Sequence, residues 1–160
     1  MTPRIEKIVE KKLIGKKMYM SLAENKTSDL WKSFMPQRKE ILHNVNNELI
    51  SLQVYSLDYF ANFKPVTTFE KWATVEVYNF EVVPSNMETF VLPEGIYAVF
   101  KYKGLSSNNA FFEYIFNTWM PSSDYELDHR PHFELLGEKY KNNDPQSEEE
   151  IWIPVQFKIK

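Results

Sequence analysis

The chain has 160 residues, 19 Lys and Arg against 22 Asp and Glu, and a formal net charge of -3. That length suits one domain with a proper core, and the slightly acidic balance leaves no positive surplus to neutralise a phosphate backbone, which argues against direct nucleic-acid binding. With no Cys, disulfide staples, zinc knuckles and thiol nucleophiles are excluded, while 9 Tyr, 12 Phe and 4 Trp supply more ring surface than a small core needs.

The opening, MTPRIEKIVEKKLIG, lacks the apolar stretch of a secretory signal and no run approaches the length of a membrane span, so a cytoplasmic protein without membrane attachment is expected. Ile5 to Leu22 reads as one extended strand, with Leu13, Ile14, Met18 and Met20 as its buried positions. Asn25 to Ser28 offer cap residues, and Leu30, Trp31, Phe34 and Met35 recur at helical spacing. Pro36 ends or kinks that helix, although Ile41 and Leu42 continue its apolar stripe, and His43 reads as a surface or capping residue at its end.

Glu48 to Tyr59 alternates, Leu52 and Val54 against Gln53 and Tyr55, and gives a second strand. After the loop NFKPVTT, Trp72 to Phe80 gives a third, with Ala73, Val75 and Val77 inward and Trp72, Thr74 and Glu76 on the opposite side. The stretch holding Pro84 and Pro93 reads as loop, and GIYAVFKYK (95–103) as a strand that brings Tyr97. Ser106 and Ser107 are positioned to cap a helix whose stripe is Phe111, Phe112, Ile115, Phe116 and Trp119, ending at Met120-Pro121.

Two strands close the chain around a polar turn from Lys141 to Glu149. In the first, Phe133 and Leu135 face one way and His132, Glu134 and Leu136 the other. In the second, Ile151, Ile153 and Val155 oppose Glu150, Trp152 and Pro154. Paired as neighbours, they are expected to bring His132, Glu134, Glu150 and Trp152 onto one face. Leu30-Trp31-Lys32-Ser33-Phe34-Met35-Pro36 parallels Ile115-Phe116-Asn117-Thr118-Trp119-Met120-Pro121, each helix preceded by one strand and followed by two. The fold class is therefore α+β: two βαββ repeats, about 1–83 and 90–160, related by a pseudo-two-fold in an antiparallel sheet arrangement. Helices lie on one side and a groove is expected on the other, where Gln53, Tyr55, Trp72, Thr74, Glu134, Glu150 and Trp152 are placed.

The pieces FMPQRKEI, LPEGIYAVFKYKG, YIFNTWMPSSDYELDHRPHFELL and EEEIWIPV resemble the GyrI-like small-molecule-binding domain, which also serves as the effector domain of AraC-type and MerR-type multidrug-responsive regulators. The resemblance covers essentially the whole chain and is strongest over 92–155. It implies a ligand groove between two repeats, with a buried glutamate in the F-E pair, here Phe133-Glu134, and a further acid, Glu150, ahead of Ile151-Trp152-Ile153-Pro154. The family's usual aromatic two residues after that glutamate is Leu136 here. Too few residues precede the first strand for a helix-turn-helix domain, so a stand-alone module is expected.

A carboxylate against ring faces suits a lipophilic cation. The expected function is binding of amphipathic aromatic, cationic small molecules around Glu134, with Tyr55, Trp72, Tyr97, Glu150 and Trp152 about it. The alternative that the resemblance implies is hydrolysis of cyclopropane-bearing genotoxic natural products, with Glu134 as general base. Read as ordinary residues, Glu134 is a strand carboxylate paired with Arg130 or Lys139, and Glu150 one of a solvated EEE run. Four scattered Gly leave no P-loop or GxGxxG fingerprint, and no GxSxG elbow exists. Pro131 keeps His129 and His132 off a common helix face. Neither metal nor cofactor is implied, and a transcriptional or gyrase-related partner rests on no particular residue.

Overall fold

The structure is a computed structural model that describes residues 2–105, 110–141 and 144–159. The first extended segment is two strands, β1 (Arg4–Ile8) and β2 (Lys11–Met20), broken at Val9-Glu10. The stretch before Gly95, expected as loop, holds a strand: β5 (Glu88–Leu92) precedes β6 (Gly95–Lys103), broken where Pro93 offers no N–H to a ladder. The two broken segments pair antiparallel in one continuous register. Arg4 faces Val99 and Ile8 faces Gly95, then Lys11 faces Leu92 and Gly15 faces Glu88.

This register closes the sheet. Strand β2 pairs with β4 (Phe69–Val77), β4 with β3 (Leu49–Val54), β3 with β8 (His132–Leu136), β8 with β9 (Glu148–Phe157), and β9 with β6. Because β1–β2 and β5–β6 are each one stretch of chain, six segments form a barrel. A short strand, β7 (Tyr125–Leu127), adds to β9 outside this ring.

Residues alternate between the barrel's two sides. The interior holds Leu13, Ile50, Leu52, Trp72, Leu92, Tyr97, Val99, Phe133 and Trp152, all buried. Phe133 and Trp152 stack with centroids 5.1 Å apart and Tyr97 meets Phe133 edge-on at 5.2 Å. Gly15 makes room for this packing, since a Cβ there would lie 1.9 Å from the Ala73 carbonyl oxygen. At one mouth a cavity of about 400 Å³ opens between Phe133 and Trp152 and a charged rim that includes Glu6, Lys11 and Glu76.

The helices lie outside. α1 (Thr27–Phe34) buries Leu30 and Phe34 on a cluster with Ile14, Ala73 and Val75. It ends as Pro36 predicts, the chain continuing through a 3-10 segment (Met35–Glu40) rather than an α-helix. His43 lies beyond that segment with φ of 63°, its carbonyl accepting the Tyr78 N–H. In the second repeat α2 (Ala110–Tyr114) passes through a π-helical turn (Ile115–Trp119) into α3 (Met120–Ser122), with the Met120 N–H bonded to the Ile115 carbonyl. It covers Ala98, Phe100, Ile151 and Ile153. Ser106 and Ser107, the expected caps, lie outside the described residues.

The side of the sheet without helices is the barrel's interior, filled with rings and aliphatic chains and opening at its mouth into the cavity beside Phe133 and Trp152. One expectation is corrected by this topology. The β8–β9 register places Glu134 opposite Ile151 and Phe133 opposite Trp152. Glu134 therefore shares the outer, helix-bearing face with Glu149, whereas Glu150 and Trp152 share the inner face with Phe133 and Leu135. A one-residue difference in register separates the two arrangements.

Candidate ligand site

Strands β3 and β8 meet where the two repeats are exchanged by their pseudo-two-fold, and Ser51 faces Glu134 at that point. Aligning the repeats on their strand starts, Lys11 with Gly95 and Leu49 with His132, and keeping these registers sets Ser51 in the place of Glu134 and Lys71 in the place of Glu149. Between α1 and the α2 segment the outer face thus carries Ser51, Gln53, Lys71, Glu134 and Glu149. These polar side chains occupy alternate positions of strands whose intervening residues fill the barrel.

Glu134 is half-buried, and the hydrogen bond found for its side chain is a long one, from Gln53 Nε2 to Oε1 at 3.5 Å. Burial raises its pKa, against the opposing pull of Lys71 and of the Gln53 contact. Glu149 is pushed up to about 7, first by burial and then by the negative charge of Glu134, with Lys71 opposing. Lys71 is held down by burial while the two acids push it up, and its Nζ donates to Thr27 Oγ1 at 3.1 Å. The ordinary reading of Glu134 as a partner of Arg130 does not hold, because Arg130 Nε pairs with Asp128 at 2.7 Å and its guanidinium lies 4.7 Å from the Tyr97 ring centroid.

Rings gather on the same face beside Glu134. Tyr55, at the end of β3, lies 4.9 Å from His132, 4.9 Å from Phe60 and 5.2 Å from Phe69. Phe60 stacks on His132 and approaches Phe116 of the π-helical turn at 5.5 Å, which links the loop of the first repeat to the helix of the second. Burial, then the charge of Glu134, raises the Tyr55 pKa well above the ordinary phenol range, so the ring keeps its proton. Burial lowers His132 to about 3, so it acts as a neutral ring.

Of the residues singled out by sequence, the structure brings Glu134 and Tyr55 together on the outer face. Trp72, Tyr97 and Trp152 lie in the barrel interior, and Glu150 sits at its rim, 3.0 Å from Arg4 and 3.3 Å from the Trp152 indole nitrogen. Sequence reasoning missed Lys71, Glu149, Phe60 and Phe116 as site residues. Glu149 was hidden in a run of three acids and was recoverable only from the β8–β9 register. His129 does not join His132, its Nε2 lying 3.2 Å from the Tyr55 carbonyl oxygen. Among the described residues no three of His, Cys, Asp and Glu come together to hold a metal, and no helix is long and apolar enough to cross a membrane.

The model of the GyrI-like small molecule binding domain matches residues 1–156. The chain belongs to the GyrI-like family. The fold of this GyrI-like domain recurs in solved structures of low identity. One is SAV2435 bound to tetraphenylphosphonium, with TM-score 0.70, 18% identity, and 98% of this chain and 94% of that one covered. A second is the EcmrR C-terminal domain, with TM-score 0.68, 16% identity and 98% of both chains covered. A third is a hydrolase encoded by lin2189 from Listeria innocua, with TM-score 0.59, 11% identity, and 97% and 92% covered. No curated protein matches the chain. The GyrI-like domain is thus a small-molecule-binding fold of α+β architecture whose two repeats meet at Glu134.

Proposed function

We propose that this GyrI-like domain binds amphipathic aromatic cations on its outer face between α1 and the α2 segment, with Glu134 as counter-charge. The observation that carries the reading is a half-buried carboxylate with one long hydrogen bond, on the face that carries the Tyr55 and His132 rings. Such a group is costly to bury unless a positive partner arrives, and flat rings accept lipophilic cations with little demand on shape. Tyr55, Phe60, Phe116 and His132 would wall the ligand. Trp72, Tyr97, Glu150 and Trp152 would act from beneath, holding the strands that present the site. The fold shared with SAV2435 in its tetraphenylphosphonium complex supports the choice of ligand class.

Thermal melting with tetraphenylphosphonium tests it. Wild type should be stabilised in proportion to ligand occupancy, and Glu134→Gln should fold yet lose that stabilisation. Equal stabilisation of both proteins would reject the reading.

A second reading uses the same face. Glu149, held to about 7 beside Glu134, is a carboxyl poised for proton transfer near neutral pH. In a hydrolase, one acid would take a proton from water as the oxygen attacks a cyclopropane carbon, and the opening carbon–carbon bond would take up a proton in return. Mass spectrometry would show substrate plus one water. Unchanged compound after prolonged incubation would count against this alternative.

A further inference from the structure

The outer face carries a cation of its own. Lys71 leaves β4 on the outer face directly across from Gln53, the residue that reaches Glu134. Its ammonium is anchored on Thr27, the first residue of α1, whose hydroxyl is in turn tied to Asn25 Oδ1 at 2.6 Å. Among the described ion pairs none joins Lys71 to a carboxylate within 4 Å, yet Glu134 and Glu149 are the charges whose fields reach it. The site is therefore an ammonium on β4 and two carboxylates, on β8 and β9, across the same outer face. The pseudo-two-fold sharpens the contrast, because the second repeat carries an acid, Glu149, where the first carries Lys71.

We propose that Lys71 is a specificity-determining residue that limits the ligands of this face to a single positive charge. The inference rests on the cation-binding reading above. Above about pH 7, where Glu149 has ionised, two carboxylates against one ammonium leave one negative charge to be neutralised, and one aromatic monocation does so. A second positive charge on the ligand would find no carboxylate left and would face Lys71 at a partly buried site, where repulsion is less screened than in bulk water. Thr27 keeps the ammonium from withdrawing. His132 is neutral and adds no charge, and Tyr55 keeps its proton, so the balance is set by Lys71, Glu134 and Glu149.

Ethidium and propidium share one phenanthridinium ring system and differ by a quaternary ammonium arm, so fluorescence titration with both isolates the charge count. Wild type should prefer ethidium. Lys71→Gln should move the affinity ratio toward propidium by roughly tenfold or more, and Glu149→Gln should move it the other way. A structural role alone would change both affinities together, so an unmoved ratio in Lys71→Gln overturns the inference. A ligand-free measurement stands beside it. Carbon-13 carboxyl titration should show the Glu134 and Glu149 midpoints rising in Lys71→Gln and staying in place in Lys71→Arg. Midpoints unmoved in the Gln variant overturn the assignment whatever the dyes do. Should the midpoints move while neither dye binds any variant, the receptor reading fails, and the ligand-charge rule fails with it.

Discussion

Phe60 stacks on His132 with ring centroids 5.4 Å apart and planes 21° from parallel, so a loop residue of the first repeat lies flat on a strand of the second. Phe60 is still 38% exposed, which makes it a cover rather than a core residue. Truncation in Phe60→Ala should cost the fold little and the ligand more. The expected loss of tetraphenylphosphonium affinity is about tenfold, the scale of one favourable ring contact, measured by isothermal titration calorimetry. Affinity equal to wild type would show that Phe60 does not wall the site.

Glu134→Gln should stabilise the ligand-free protein at alkaline pH. A carboxyl raised in the folded state contributes stability that is complete below its ordinary value of 4.5 and is lost as pH rises through the folded value. The amide has the same shape and no charge to desolvate. At pH 8 the variant should gain on the order of 1 kcal/mol, a rise of a few degrees in melting temperature, and near pH 4 the two proteins should melt together. A variant that melts below wild type at pH 8 would mean that Glu134 is better compensated than its contacts suggest.

Glu149 and Glu150 are adjacent in sequence and lie on opposite faces of β9, which gives a paired test. The sign for Glu149 is the same as for Glu134: its contribution is present below about pH 4.5 and lost by about pH 7. Glu149→Gln should flatten the melting profile across that interval, by on the order of 1–2 kcal/mol after solvent screening. Glu150→Gln removes an ion pair with Arg4 that is partly exposed and worth less than about 1 kcal/mol, and should leave the interval unchanged. Identical profiles for the two variants would contradict the β8–β9 register.

Gly15→Ala should be severe. Its Cβ would stand 1.9 Å from the Ala73 carbonyl oxygen, a backbone atom in a paired strand that cannot rotate away. Overpacking of this kind with forced strand separation should cost about 3 kcal/mol or more by denaturant titration. A loss below about 1 kcal/mol would show that β2 and β4 separate more easily than their pairing implies.

The sequence made the helices, the late strands and the duplication legible because each rests on local signals: stripes at helical spacing, alternation, and a repeated helix ending in Met-Pro. Glu134 and Tyr55 were legible as residues opposite the apolar side of their strands. The pairing register was not. Alternation says which residues of β8 share a side and which of β9 do, but not how the two sets align, and a shift of one residue exchanges Glu149 for Glu150. Closure was hidden for a related reason. Leu13 and Ile14 are both fully buried, one inside the barrel and one beneath α1, so β2 lacks the simple alternation of a half-buried strand. Strand β5, with Glu88 and Thr89 beside Phe90 and Leu92 and prolines on either side, carries little to separate it from a loop. Lys71 was missed because a lysine beside a tryptophan in a strand reads as a solvated edge until α1 is seen to cover it.

The seam between residues 4–20 and 88–103 ties the beginning of the chain to its middle, while β9 and β4 complete the ring from either side. Neither half owns a finished interior: Trp72 belongs to one repeat, Phe133 and Trp152 to the other, and all three share one cluster. Such a protein should unfold in a single step, and a nascent chain should stay unprotected against proteases until its final strand has emerged.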